Sequence, residues 1–234
     1  MTSLYIEAST PITIVRFEAP SIRNSFGLEQ AIELNAILKQ EPKAILFYSG
    51  LTNALCSGGN LKDYSQKTDS DCIKTNRKIR DSLKDLQQVN IPTLLVVDGD
   101  TLGGGIELLS CFDHVIAGPK SLFAFWQRKI ALSYGWGGGE RLLQRLSAQD
   151  LKQKSLSAEM FDAYEAKRIG LIDEVVSSHL LLEHGVSWLL RQLQLPQESF
   201  STLKNFSTKT EVKKFEKLWG NPSHKKILSA FMKR

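Results

Sequence analysis

The stretch Ile91–Gly118, IPTLLVVDGDTLGGGIELLSCFDHVIAG, decides the fold class. Ile91-Pro92 ends the helical pattern before it, because proline lacks an N–H and restricts the residue it follows. Thr93 to Val97 is a continuous apolar run, as expected of a strand buried on both faces. Asp98 to Gly105 reads as a turn that ends in three glycines, and Ile106 to Cys111 as a short helix. His114 to Ala117 is strand-like again. Buried strand, glycine turn, helix and second buried strand in one short span make the repeating unit of an α/β protein.

Working outward, the same grammar continues on both sides. Ile79, Leu83 and Leu86 share one helical face, and Ser70 is a candidate cap for that helix. Before it lies a loop, LTNALCSGGNLKDY (51–64), carrying Gly58-Gly59. Ala44 to Tyr48 is another buried-strand run, Leu28, Ala31, Leu34 and Leu38 recur at helical spacing, and Ile12 to Phe17 alternates like a strand. Downstream, Gly137 to Gly139 precedes a helix with Leu142, Leu143 and Leu146, and Ile172 to Val176 makes a last short strand. Everything after Ser177 reads as helix or loop. The expectation is an α/β core over residues 1–176 and a helical region over 177–234.

Composition narrows the classes of function. The chain has 234 residues, 42% hydrophobic and 24% charged, which suits a globular protein and excludes disordered, collagenous and disulfide-rich ones. No apolar run approaches the roughly 20 residues of a membrane span. Residues 1–11 show no basic start and apolar stretch of a secretory signal. Cys56, Cys72 and Cys111 form no metal motif, and their odd number argues for a reducing cytoplasm. His114, His179, His184 and His224 show no metal-type spacing. The net charge of +5 is a property of the tail: residues 200–234 hold nine Lys or Arg against two Asp or Glu, a local +7, leaving −2 on residues 1–199. Such a tail suits nucleic acid, an anionic surface, a phosphate-bearing small molecule or plain solvent.

The run Leu102-Gly103-Gly104-Gly105-Ile106-Glu107 sits between strand and helix, where glycines allow close backbone approach and first-turn N–H groups favour anionic oxygen. It is not a dinucleotide fingerprint, because Leu108 stands at the third glycine position. Taken alone, the run equally suits a helix packed closely on a sheet. Paired with Cys56-Ser57-Gly58-Gly59-Asn60-Leu61-Lys62, it provides two glycine loops, each after a buried strand, able to aim two N–H groups at one carbonyl oxygen.

At this point the chain resembles the crotonase superfamily, the enoyl-CoA hydratase/isomerase family. The stretches that carry the resemblance are ALCSGGNLKDY, the Ile91–Gly118 stretch, SYGWGGGERLLQRL and FDAYEAKRIGLIDEVV, flanked by PSIRNSF and HKKILSAFMKR. The resemblance implies a spiral of ββα units with a C-terminal helical region that builds trimers or hexamers, and an acyl-coenzyme A substrate. It implies that Gly59 and Gly104 hold the thioester oxygen through backbone N–H groups, with Gly58, Asn60 and Leu61 in the first loop. It also implies that Asn24, with Arg23 beside it, lies near the coenzyme's nucleotide end. Basic residues of the tail then face the coenzyme's phosphates, and nucleic acid and membrane drop out as partners. No serine lies in the Gly103–Glu107 turn, which sets aside the serine-peptidase version of the fold.

By the same resemblance, Glu107 matches one of two glutamates that hydratases use. Gln127 stands where the second belongs, and no Asp or Glu occurs between His114 and Gly139. An amide orients water but cannot shuttle its proton at neutral pH. The expected enzyme is therefore isomerase- or hydratase-like, with Glu107 as its single acid/base and no permanently bound cofactor. Coenzyme A arrives as part of the substrate. Tyr134, at a position where the family usually has a turn proline, opens an alternative. A malonyl-type thioester decarboxylase would use Tyr134 and Gln127, with Trp126 or Arg128 nearby. A binding or assembly protein without turnover is the third reading. Tyr64 and Lys67, on the loop after Gly59, are candidates to reach the acyl group or to serve the surface.

Overall fold

The computed structural model describes residues 2–205 and 209–232. The strands are β1 (Leu4–Ala8), β2 (Thr13–Phe17), β3 (Ile45–Ser49), β4 (Ala54–Cys56), β5 (Thr93–Val97), β6 (Asp100–Leu102), β7 (His114–Ala117), β8 (Leu122–Ala124), β9 (Phe161–Asp162) and β10 (Glu174–Val175). The helices are α1 (Leu28–Leu38), α2 (Leu61–Tyr64), α3 (Asp69–Gln88), α4 (Gly104–Leu109), α5 (Gly138–Leu142), α6 (Ala148–Ser157), α7 (Ala163–Arg168), α8 (Leu181–Gln194), α9 (Gln197–Lys204), α10 (Glu211–Leu218) and α11 (Pro222–Phe231).

One sheet runs β1-β2-β3-β5-β7-β10, parallel except for β1 at its edge. A second runs β4-β6-β8-β9, with β9 antiparallel. Each buried strand of the first sheet is followed at once by a short strand of the second: β3 by β4, β5 by β6, β7 by β8. That is the expected ββα spiral. Gly99 makes one crossing from sheet to sheet. Its φ is +137°, and a Cβ there would fall 2.5 Å from the Asn53 carbonyl carbon, so a side chain fails on conformation and on space.

The main core lies between the sheets and under α1 and α3, with Phe17, Phe26, Phe47, Leu83, Leu95, Ile106 and Phe123 buried. A second cluster on the far face of the large sheet gathers Leu46, Leu94 and Ile116 under Leu181 and Leu189 of α8.

Several expectations shift. The loop 51–64 contains β4 and α2, and the turn 98–105 contains β6. β1, β8 and β9 are further strands that the sequence pattern did not reveal. β4, β6, β8 and β9 are too short for periodicity, and β1 is mostly exposed at the sheet edge, so neighbouring edges supply their pairing. The cap of α3 is Thr68, whose hydroxyl accepts the Asp71 N–H at 3.2 Å, whereas Ser70 lies inside the first turn. Of the basic tail, Lys233 and Arg234 lie outside the described residues.

Candidate active site

β4 and β6 are parallel neighbours, so the loops that leave them emerge at the same end of the small sheet. They touch: a Cβ on Gly58 would meet the Gly104 nitrogen at 3.3 Å, and one on Gly105 would meet the Cys56 carbonyl oxygen at 2.6 Å. Phe26 donates its N–H to the Gly58 carbonyl at 2.8 Å in a parallel bridge centred on Gly59. In such a bridge the N–H of Gly59 points away from Phe26. Gly104 opens α4, and a first-turn N–H has no intrahelical acceptor. Two backbone donors therefore stand at one junction. The Cys56 thiol beside them is pushed up to about 12 by burial, with no role as a nucleophile.

Glu107 leaves the first turn of α4, 2% exposed, and its carboxylate crosses to the turn before α5. Oε2 accepts the N–H of Trp136 at 2.8 Å and of Gly138 at 2.9 Å. Oε1 accepts the N–H of Gly135 at 3.2 Å and the Gln127 side-chain amide at 3.4 Å. The carboxylate thus caps α5, satisfying donors that a glycine turn cannot satisfy itself. Arg141 of α5 returns the tie, donating to the carbonyls of Glu107 and Trp136 at 3.1 and 3.0 Å and to Ser110 Oγ at 2.9 Å. The expected free acid/base is a partly committed one, with Oε1 the oxygen held by longer bonds. Gln127 Oε1 is buried with no partner.

Above the glycines lies an aromatic cover. The Trp136 indole donates to Asn76 Oδ1 at 2.7 Å, and the Tyr64 hydroxyl donates to the same oxygen at 2.8 Å. Burial pushes the Tyr64 phenol up to about 12, so it stays protonated at neutral pH. Asn76 is the member the sequence did not signal, since a lone asparagine on an exposed-looking helix carries no pattern.

Tyr134, the residue of the decarboxylase alternative, is tied to the neighbouring helix. Its hydroxyl is bonded to Ser155 Oγ of α6, its ring stands edge-on to Phe125 at 6.5 Å, and burial raises its pKa. Ser155 passes the bond on to the Leu151 carbonyl at 2.6 Å. Arg128 is likewise engaged, on the Leu156 carbonyl, while Lys129 lies 4.3 Å from the Trp126 ring centroid. Lys67 pairs with Asp63 at 2.5 Å.

At the expected nucleotide end, Asn24 has its side chain engaged within its own loop. It is fully buried with φ +52°, accepts the Ala19 N–H at 2.6 Å and donates to the Phe17 carbonyl and Ser49 Oγ, both at 2.9 Å. Its side chain ties Phe17, Ala19 and Ser49 together and so fixes its own loop. Arg23 remains largely exposed, 3.6 Å from Asp100. Asn60 caps α2 by accepting the Asp63 N–H at 3.1 Å, and Leu61 is exposed beside it. Among the described residues no group of His, Cys, Asp and Glu is placed to hold a metal.

A two-sheet ββα spiral with paired glycine loops, an acid behind the second and a helical C-terminal region defines the crotonase class. The enoyl-CoA hydratase/isomerase family pattern matches residues 7–224, and the chain belongs to that family. Among curated relatives, mouse (Mus musculus) enoyl-CoA hydratase domain-containing protein 2, mitochondrial, is 27% identical over 192 residues, covering 80% of this chain and 64% of that protein. Mouse methylglutaconyl-CoA hydratase, mitochondrial, is 31% identical over 163 residues, covering 69% and 51%. The chain thus spans between about half and two thirds of the length of these relatives. In fold, it matches enoyl-CoA hydratase from Bacillus anthracis with a TM-score of 0.90 at 21% identity, covering 99% of this chain and 96% of the other. DspI of Pseudomonas aeruginosa matches with a TM-score of 0.91 at 18% identity, covering 100% and 95%.

Proposed function

We propose that this protein binds an acyl-coenzyme A thioester, holds the thioester oxygen between the N–H groups of Gly59 and Gly104, and moves a proton through Glu107. The observation that carries this reading is the asymmetry of the Glu107 carboxylate. Oε2 is taken by two short bonds, whereas Oε1 keeps only contacts of 3.2 and 3.4 Å and is the oxygen free to accept a proton. One base suits double-bond isomerisation. Glu107 removes a proton next to the carbonyl, the electron pair moves onto the thioester oxygen as an enolate, and the same group returns the proton further along the chain. Each glycine donor contributes on the order of 3 kcal/mol to that enolate. Hydration would need a second proton-handling group, and Gln127 supplies only orientation.

The basic tail and Arg23 support a coenzyme with phosphates, brought in with the substrate rather than held permanently. Residues 177–234 are read as the region that caps the coenzyme and joins subunits into a homotrimer or hexamer. The apolar side chains exposed on α9 to α11 support that reading. No helix among the described residues is long and apolar enough to cross a membrane, and unpaired Cys56, Cys72 and Cys111 support a reducing compartment such as the cytoplasm.

The test is exchange of the α-proton of a bound acyl-CoA with deuterated water. Glu107→Gln lowers the exchange rate by about 10²–10⁴ while the ester still binds. Equal exchange in wild type and variant removes Glu107 as the base. Binding without any exchange by the wild type favours the assembly reading.

A further inference from the structure

The indole of Trp136 lies against both glycines of the candidate thioester site. A Cβ placed on Gly104 would fall 2.4 and 2.5 Å from Cζ3 and Cη2 of that ring. One on Gly59 would fall 3.5 Å from Trp136 Cζ2 and 2.9 Å from Tyr64 Cε2. The Trp136 indole therefore bounds the space beside both glycines, with the Tyr64 ring next to it at Gly59.

These rings are fixed rather than poised to swing. Asn76 Oδ1 accepts from both the indole and the Tyr64 hydroxyl, and Asn76 Nδ2 donates to the Cys72 carbonyl at 3.0 Å, which sets the orientation of the amide. The Trp136 backbone is held at its N–H by Glu107 and at its carbonyl by Arg141. Phe26 packs on the ring with centroids 6.0 Å apart, and the residue is 4% exposed. Moving the indole breaks a partly buried hydrogen bond and opens a void beside Phe26, and close-packed interiors resist both.

We propose that Trp136, oriented by Asn76, is the wall that ends the acyl pocket, so that the protein selects thioesters of short acyl chains, about two to four carbons, over longer ones. This inference rests on the reading that Gly59 and Gly104 hold a thioester. Asn76 and Tyr64 act as positioning residues: they set the angle of the wall and take no part in proton transfer.

The experiment is calorimetric titration of wild type, W136A and W136F with acetyl-, butyryl-, octanoyl- and dodecanoyl-CoA. Wild type is expected to bind octanoyl-CoA at least about tenfold more weakly than butyryl-CoA. W136A closes that gap to about threefold or less, while W136F, which keeps a ring but loses the donor to Asn76, retains the short-chain preference. A merely structural tryptophan would weaken all four esters alike, and that pattern overturns the proposal. Should W136A fail to fold, the wild-type profile still decides, because octanoyl-CoA bound as tightly as butyryl-CoA overturns the wall. Binding of no ester by any folded protein overturns the thioester reading itself, and this inference with it.

Discussion

At the scale of the residue, Glu107 carries both the candidate chemistry and a share of the fold. Removing its carboxylate leaves the N–H groups of Gly135, Trp136 and Gly138 without that acceptor, the last two of them in buried residues. Each orphaned donor costs about 1–3 kcal/mol, so E107A should lose about 3 kcal/mol or more of stability. E107Q should lose far less. Its amide oxygen can take the Oε2 position and keep Trp136 and Gly138, while its NH₂ group gives up the Gly135 N–H and faces Gln127, whose own oxygen is buried without a partner and available to accept after an amide flip. Urea unfolding of the two variants checks this, and equal losses would contradict it. The two glycine loops were legible in the sequence, and its resemblance to the family marked Gly59, Gly104 and Glu107 within and beside them. It offers Asn24 for the nucleotide end and Tyr134 for the alternative chemistry, without showing the side chains that hold them. A side chain's partner depends on which elements meet it, and Ser155 lies far along the chain from Tyr134.

At the scale of the element, the strongly apolar strands β3, β5 and β7 and the amphipathic α1 and α3 were legible within a residue or two, since burial imposes a period. β4, β6, β8 and β9 were not, because two or three residues carry no period and their pairing is imposed from outside. The joint of β7, β10 and α8 is another assembly of distant parts. His114 and His184 each place Nε2 on Glu174, at 3.0 and 2.9 Å, and His114 stacks on Trp188 with centroids 4.5 Å apart. Burial alone would raise the Glu174 carboxyl, but the hydrogen bonds and charges of the two histidines outweigh it and hold the group below the usual carboxylate range. A carboxyl whose folded pKa is depressed contributes stability above its unfolded value of about 4.3, and loses it as pH falls through the folded value. Wild type should therefore exceed E174Q in urea midpoint at about pH 5.5, and the two should converge toward about pH 3.5. A gap that persists in acid would exclude the histidine joint as its source.

At the scale of the whole molecule, α9 to α11 leave Leu203 70%, Trp219 64% and Phe231 66% exposed, beside Phe215 and Val212. So many exposed apolar side chains on three successive helices, with Phe215 and Trp219 in ring contact at 5.5 Å, suit cover by another chain. Sedimentation should find a trimer or hexamer, and W219D with F215D should shift it to smaller species without unfolding the core. A wild type that stays monomeric at micromolar concentration excludes this role for the tail. The sequence by itself determined the alternation of buried strands and helices and the two glycine loops, because each is a local pattern of burial or chemistry, while its resemblance to the family pointed to Glu107 and to Gln127 in place of a second acid. The tertiary structure alone decided that Glu107 is half committed to capping α5, that Asn76 joins Tyr64 to Trp136, and that an indole walls the glycines. These are contacts between segments far apart in the chain, and their geometry exists only once the two sheets have packed.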